Sequence, residues 1–206
     1  SSDEKYSLKR DEKYKDKIAL LKDFYESEYD CDRHLVRDIV ADIDTDEYYQ
    51  TEEAYEKINE CLYYIKTSSE KMNVRWSKYL LQIAIDVQIA WDAGTLVGAG
   101  RGSGVGFCLL NILGITQINP LREKTKTYPW RFLNPERASV LDIDIDICGS
   151  KREAVIQAMK DTYGEDRVSK VMTLSTEKSR SAILTAARGL KIDNDIAQYI
   201  SSLIVA

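Results

Sequence analysis

The sequence contains few residues of the kinds that bind zinc or form disulfides. It has one histidine and four cysteines, which stand apart from one another without a CxxC pair (Cys31, Cys61, Cys108 and Cys148). Because zinc sites use Cys and His at short spacings, this pattern argues against a zinc protein and favours isolated thiols in a reducing compartment. We therefore expect a cytoplasmic protein.

The sequence also lacks a long apolar segment. No run approaches the roughly 18–20 apolar residues that cross a bilayer, and no signal peptide is recognisable, so we expect no membrane partner. The 206 residues, 44% of them hydrophobic and 31% charged, suffice for one domain, or one and a part. The chain begins without methionine and stops inside an apolar periodic run. Both ends are therefore expected to have been cut from a longer chain.

Charge is unevenly distributed. The net charge is −5, but residues 97–190 contain 14 Lys and Arg against 10 Asp and Glu, which leaves 15 basic and 24 acidic residues elsewhere. The local excess of +4 favours an anionic ligand for that segment.

Three aspartates alternate with aliphatic residues in the segment 140–147, whose sequence is Val-Leu-Asp-Ile-Asp-Ile-Asp-Ile. This period of two predicts a strand with one polar face and one buried face. Asp142, Asp144 and Asp146 are then expected on the same face, roughly 6–7 Å apart in succession. Like charges so close together require a counter-charge, which a divalent cation supplies. The segment therefore predicts a catalytic metal site.

A second motif, Gly-Ala-Gly-Arg-Gly-Ser-Gly-Val-Gly, occupies residues 98–106 and precedes an apolar helix. Glycines let backbone N–H groups approach a phosphate closely, and Arg101 and Ser103 add side-chain donors. Neither the P-loop pattern nor the dinucleotide-binding pattern is matched. We expect a phosphate-binding turn of another type, with a flexible connection as the alternative.

Two arginines, Arg131 and Arg137, stand immediately before the aspartate segment. Their guanidinium groups either pair with the aspartates or bind substrate phosphates, and phosphate binding is favoured if metals occupy the aspartates. Around these motifs the periodicity predicts a helical start of the chain, a helix over 76–93 ended by Gly94, and helices over 151–163 and 176–190. It also predicts a short strand at 96–97 and a strand over 168–174.

Four motifs in this order resemble the palm of bacterial replicative DNA polymerase III α subunits, the C-family polymerases. The motifs are Gly-Arg-Gly-Ser-Gly (100–104), Gly-Ile-Thr-x-Ile-Asn-Pro-Leu (114–121), Arg-Phe-Leu-Asn-Pro-Glu-Arg (131–137) and Leu-Asp-Ile-Asp-Ile-Asp (141–146). The resemblance covers about residues 75–192. It implies an α+β fold of the polymerase β-like nucleotidyltransferase type, in which a small mixed sheet with flanking helices follows a helical segment. The expected domains are 1–74, a helical lead-in, 75–192, a partial palm, and 193–206, the start of a further helical, thumb-like segment.

The resemblance also implies roles for individual residues. Asp142 and Asp144 correspond to catalytic, metal-binding aspartates, and Asp146 matches the motif without being among the usual three ligands. Gly102 and Ser103 correspond to the glycine-serine pair. The residues expected to contact the incoming triphosphate are Arg101, Arg131 and Arg137.

The implied activity is template-directed addition of deoxynucleotides to a primer 3′-hydroxyl, with two Mg²⁺ ions as cofactors and Mn²⁺ as a possible substitute. The implied partners are primer-template DNA, deoxynucleoside triphosphates and other replisome subunits that bind outside this chain. The family's third catalytic aspartate is expected beyond residue 206. We therefore expect this chain alone not to extend primers.

Three other interpretations remain at this point. Asp142, Asp144, Asp146 and Glu153 match ligand positions of an EF-hand loop, but Ile147 stands where that loop needs glycine and Pro135 would break the preceding helix. An untemplated nucleotidyltransferase would share the aspartates and the glycine-serine turn. A non-catalytic palm that acts as a scaffold is the third.

Overall fold

The computed structural model describes residues 2–137 and 140–204, with side chains from residue 9 onward. It divides into two compact units, with the boundary between Val168 and Ser169. The α-helices of the described chain are α1 (Ser2–Lys15), α2 (Leu21–Tyr25), α3 (Asp30–Thr45), α4 (Glu52–Met72), α5 (Trp76–Asp92), α6 (Cys108–Ile112), α7 (Arg152–Tyr163), α8 (Ser179–Gly189) and α9 (Asn194–Ser202). Short 3-10 helices span Glu47–Tyr49, Ser103–Gly106, Pro129–Arg131, Gly149–Lys151 and Glu165–Arg167.

The first unit is built around α3, which packs against α1, α2, α5 and α6. Apolar residues recur along α3 at helical spacing, and Leu35, Ile39 and Ile43 are fully buried. Helix α4 contacts α5 and α6 and buries Ile58 and Leu62. The helical start predicted from the sequence is therefore confirmed, and it provides the hydrophobic core on which the later motifs rest.

Thr51 and Asp32 lie at or near the starts of α4 and α3, but only one of them caps its helix. The Thr51 hydroxyl accepts a hydrogen bond from the Ala54 N–H at 3.2 Å, so Thr51 is the N-cap of α4. Asp32 is also of a residue type that is common at N-caps, but it lies inside α3 and is buried. Its carboxylate accepts hydrogen bonds from the hydroxyls of Ser27 at 2.7 Å and Ser77 at 2.5 Å. Asp32 therefore connects α3 to α5 rather than starting a helix.

Helix α5 agrees with the sequence prediction, since it spans Trp76–Asp92 and is followed by Gly94 with a φ of +79°. Helices α7 and α8 also lie where they were expected, although α8 starts at Ser179, three residues late. Among the described residues, no helix is both long and apolar enough to cross a bilayer.

The predicted α+β fold, a polymerase β-like palm with a small mixed sheet, is wrong for the part of the chain that the structure describes. Residues 140–147, predicted as a strand, form none, and the β-type pairing seen is a single antiparallel bridge between Val97 and Ile147. The alternation of exposure is nevertheless as predicted, because the three aspartates are exposed and the intervening isoleucines are partly buried. Alternation specifies which face of a segment is buried, but a sheet also needs partner strands, which no single segment specifies.

The predicted strand over 168–174 is also wrong. In the second unit, residues 169–178 form neither helix nor strand, and Val171, Met172 and Leu174 are more than four-fifths exposed. The rest of this unit is a pair of helices, α8 and α9, in contact with each other. Asp193 caps α9 by accepting hydrogen bonds from the N–H groups of Asp195 and Ile196.

Candidate active site

The glycine loop, residues 98–106, leads from the bridge residue Val97 towards α6. Gly100 and Gly102 have φ values of +126° and +71°, which glycine tolerates far better than other residues. A Cβ atom on Gly100 would also lie 3.0 Å from Cγ2 of Thr116. Ser103, the first residue of a 3-10 helix, is exposed, as are Gly102 and Arg101. The loop therefore presents a hydroxyl, a guanidinium and backbone to solvent, as a phosphate-binding turn requires.

The aspartate segment lies directly against the start of this loop. The Gly98 N–H donates a hydrogen bond to the carbonyl oxygen of Asp146 at 2.8 Å, next to the bridge between Val97 and Ile147. A Cβ atom on Gly98 would lie only 2.9 Å from the Cβ of Asp146. The Cys148 N–H extends the contact by donating to the Thr95 hydroxyl at 3.0 Å. The two sequence motifs, whose near ends are 34 residues apart, are thus held together by a backbone hydrogen bond and the adjacent bridge.

Arg101 provides the counter-charge for two of the three aspartates. Its Nη2 lies 3.2 Å from Oδ1 of Asp144, and its Nε lies 3.5 Å from Oδ1 of Asp146. Both carboxylates therefore project to the same side, as the period of two predicted. The three side chains are 46–63% exposed, so these ion pairs contribute little stability, less than about 1 kcal/mol each.

Asp142, the first aspartate of the segment, lies close to helix α5. The Tyr79 hydroxyl donates to the carbonyl oxygen of Leu141 at 3.4 Å. Burial raises the pKa of Tyr79, and the negative charge of Asp142 raises that pKa further. The aspartate segment is therefore in contact with α5 at its first residues and with the glycine loop at its last.

The arginine motif also contacts the glycine loop. Arg131 ends the 3-10 helix Pro129–Arg131 and is exposed, whereas the next residue, Phe132, is buried with its ring 4.9 Å from that of Phe107. This aromatic contact attaches the arginine motif to the start of α6. Arg137 is also exposed, and its N–H donates to the carbonyl oxygen of Asn134 at 3.0 Å.

A cleft of about 690 Å³ opens between the glycine loop and the arginine motif. Gly102, Ser103 and Arg131 are all among the residues that line it. Of the three arginines that the sequence suggested for triphosphate contacts, Arg131 lines this cleft, Arg101 faces the aspartates, and Arg137 is not among the lining residues. The remaining residues that line the cleft are Val105, Gly106, Thr125, Lys126, Thr127 and Tyr128.

Sequence reasoning missed the wall formed by residues 125–128. These residues belong to a charged loop that carries no recognisable motif, so only its lysines and its position before Arg131 could have drawn attention. In the structure the loop is packed on the glycine loop, since a Cβ on Gly106 would lie 3.1 Å from the Cβ of Thr127.

The aspartates suit a hard divalent cation in their chemistry, because Mg²⁺ and Mn²⁺ prefer carboxylate oxygens. Within the described residues, however, no group of three or more His, Cys, Asp or Glu side chains is placed to hold a metal ion. The segment therefore offers adjacent carboxylates but not a complete set of protein ligands. Ile147, which would be the turning residue of an EF-hand loop, is instead in the bridge with Val97.

Comparison with known proteins covers this region and the helices before it. The family model for the bacterial DNA polymerase III alpha NTPase domain matches residues 31–206. The chain belongs to this family. The match includes the glycine loop, the arginine motif and the aspartate segment, so the family inferred from these motifs is confirmed.

Individual proteins named as DNA polymerases also match this chain. The chain is 37% identical over 202 residues to a protein named "Probable DNA polymerase YorL" from Bacillus subtilis (strain 168), and equally to a "DNA-directed DNA polymerase" from Bacillus phage SPbeta; each alignment covers 92% of this chain. It is 43% identical over 129 residues, 61% of its length, to "DNA polymerase III subunit alpha" of Chlamydia trachomatis. The aligned regions span 15%, 15% and 10% of these proteins, so the chain matches only a small part of each.

Proposed function

We propose that this chain carries the nucleotide-addition site of a DNA-directed DNA polymerase of the DNA polymerase III alpha family. One observation supports this most directly. The glycine loop is hydrogen-bonded to the aspartate segment at Gly98, and at Gly102 and Ser103 it borders the cleft that Arg131 also lines. A site for phosphates is therefore adjacent to a site for cations, which is the arrangement that phosphoryl transfer requires.

Each motif has a distinct task in this proposal. Ser103 and the backbone of Gly102 bind the triphosphate of an incoming deoxynucleotide, and Arg131, which lines the same cleft, binds its oxygens. Arg101 holds Asp144 and Asp146 in place when no cation is present and can turn to the triphosphate once a cation replaces it. Arg137, which does not line the cleft, adds positive charge to the arginine motif. These residues orient the α-phosphate for in-line attack by a primer 3′-hydroxyl.

Asp142 and Asp144 are the residues that would hold Mg²⁺ in this proposal, with Asp146 as an additional carboxylate. Two such ions, or Mn²⁺ in their place, would supply positive charge to the reacting hydroxyl and to the pyrophosphate that leaves. Since a complete ligand set is not formed by the described residues, binding is expected to be weak without a triphosphate, whose oxygens provide further ligands.

Primer-template DNA and deoxynucleoside triphosphates are the proposed partners, and replication in the cytoplasm is the proposed setting. The excess of basic residues in segment 97–190 supports binding of polyanions. Other replisome subunits are expected to bind parts of the polymerase that this chain does not include, since the chain matches at most 15% of its first relatives.

The decisive experiment is a titration of the chain with Mn²⁺, with and without a deoxynucleoside triphosphate. Electron paramagnetic resonance of the free ion measures how much Mn²⁺ is bound. We expect the triphosphate to tighten Mn²⁺ binding to the wild-type chain. The double variant Asp142→Asn/Asp144→Asn should lose that enhancement, because two anionic ligands are removed with little change of shape. A matched control, Asp161→Asn/Asp166→Asn, removes the same charge from exposed positions outside the site and should behave as the wild type does.

Two other results would contradict the proposal. Tight Ca²⁺ binding that ignores the triphosphate would favour a calcium-binding segment. Absence of any triphosphate-dependent binding would favour a palm-derived scaffold without catalytic metal sites.

A further inference from the structure

The loop of residues 125–128, which is packed on the glycine loop, provides a second cation for the same cleft. We propose that Lys126 is a phosphate-binding residue, which contacts the polyphosphate of the nucleotide in the cleft that it lines together with Gly102 and Ser103. This inference rests on the proposed function and adds a residue that neither the motifs nor the family resemblance assigns.

The lining of the cleft is positively charged. The residues that line it include two cations, Lys126 and Arg131, and no carboxylate. Arg101 does not line it and is occupied by Asp144 and Asp146. Before any cation binds the aspartates, Arg131 alone would therefore face a triphosphate that carries several negative charges. A second cation on the same wall makes the cleft suited to such an anion.

The loop that carries Lys126 is packed against the rest of the first unit. Thr127, which follows Lys126, is packed so closely on Gly106 that a Cβ there would approach it to 3.1 Å. Pro129 is buried and starts the 3-10 helix that carries Arg131. The chain immediately after Lys126 is thus attached to the body of the first unit, so Lys126 lies at the lining of the cleft with its exposed side chain free to reach a ligand.

Two carboxylates near Lys126 are alternative partners that could compete with a phosphate for its ammonium group. A smaller cleft of about 300 Å³ lies next to the first, and Lys126 lines it together with Glu53, Lys57 and Glu123. In the described part of the chain, neither carboxylate forms an ion pair with Lys126. The ammonium group can therefore turn to a phosphate without losing an existing partner.

The test is isothermal titration calorimetry of the chain with two probes, dATP and inorganic tripolyphosphate. Lys126→Met, which keeps the length of the side chain and removes its charge, should weaken binding of both probes by about tenfold, as expected for a lost charge-assisted contact in a partly exposed site. Lys126→Arg should restore binding to within about threefold. The matched control is Lys124→Met, which removes the same charge two residues away at a position that does not line the cleft.

The inference is overturned if Lys126→Met binds both probes as the wild type does, or if Lys124→Met loses as much affinity as Lys126→Met. An Arg131→Ala variant separates this failure from failure of the proposed function. If Arg131→Ala weakens binding and Lys126→Met does not, the cleft binds triphosphate without Lys126. If neither change weakens binding, or the wild type binds neither probe, the triphosphate site itself is not there and both proposals are wrong.

Discussion

Replacement of Gly98 by alanine tests whether the aspartate segment is held in place by the glycine loop. Gly98 has an ordinary φ, so alanine is compatible with the backbone and the effect depends on the neighbouring atoms alone. The new Cβ would lie 2.9 Å from the Cβ of Asp146 and 3.5 Å from its carbonyl oxygen. Because a Cβ atom cannot move away by side-chain rotation, the two backbones must separate by several tenths of an ångström.

The magnitude follows from that separation. Inserting a methyl group where there is no space typically costs about 1–3 kcal/mol of unfolding free energy. Part of this cost comes from lengthening the 2.8 Å hydrogen bond between the Gly98 N–H and the Asp146 carbonyl, which contributes about 1 kcal/mol when intact. We therefore expect Gly98→Ala to lower the free energy of unfolding of the first unit by about 1–3 kcal/mol and to weaken triphosphate-dependent Mn²⁺ binding.

Urea denaturation followed by tryptophan fluorescence is the suitable assay, since all three tryptophans (Trp76, Trp91 and Trp130) lie in the first unit. Gly149→Ala is the matched control, because a Cβ there meets no atom within 4 Å and the residue follows the same aspartate segment. The control should change stability by less than about 0.5 kcal/mol. Equal stability and equal Mn²⁺ binding for the two alanine variants would refute the contact between loop and segment on which the site depends.

The remaining predictions concern the stability of the first unit and the reactivity of one of its cysteines. Tyr49→Phe should lower the free energy of unfolding by about 1–2 kcal/mol in urea denaturation, because the buried Tyr49 hydroxyl donates to Oδ1 of Asn111 at 2.6 Å and its loss leaves that acceptor unpaired. The control Tyr48→Phe, at a half-exposed ring, should change the free energy of unfolding by less than about 0.5 kcal/mol. Equal losses in the two variants would contradict a stabilising role for the Tyr49 hydrogen bond. Cys148 should be the first cysteine alkylated by iodoacetamide, as followed by mass spectrometry. The hydrogen bond with the Ser150 hydroxyl lowers the pKa of this exposed thiol, which raises its thiolate fraction at pH values below the usual thiol pKa. Ser150→Ala should therefore slow alkylation of Cys148 at pH 7, with a smaller effect above the usual thiol pKa, and an unchanged rate at pH 7 would show that the hydrogen bond does not act on the thiol.

The candidate site shows where sequence reasoning succeeded and where it stopped. Alternation along residues 140–147 correctly predicted which side chains are exposed, because the period of a chain segment is a local property. The family was also predictable, since four motifs in a fixed order specify it more strongly than any one of them. The roles of Asp142, Ser103 and Arg131 in nucleotide addition remain predictions.

Local sequence equally determined the helical body, the Thr51 cap and the end of α5 at Gly94, because helix periodicity, capping and left-handed glycine each depend on a few adjacent residues. Only the tertiary structure decided that the aspartate segment forms one bridge instead of a sheet, that Arg101 faces the aspartates, and that Lys126 borders the cleft. These facts depend on pairing between segments far apart in the chain. Such pairing depends on how the whole unit packs, and no local pattern encodes it.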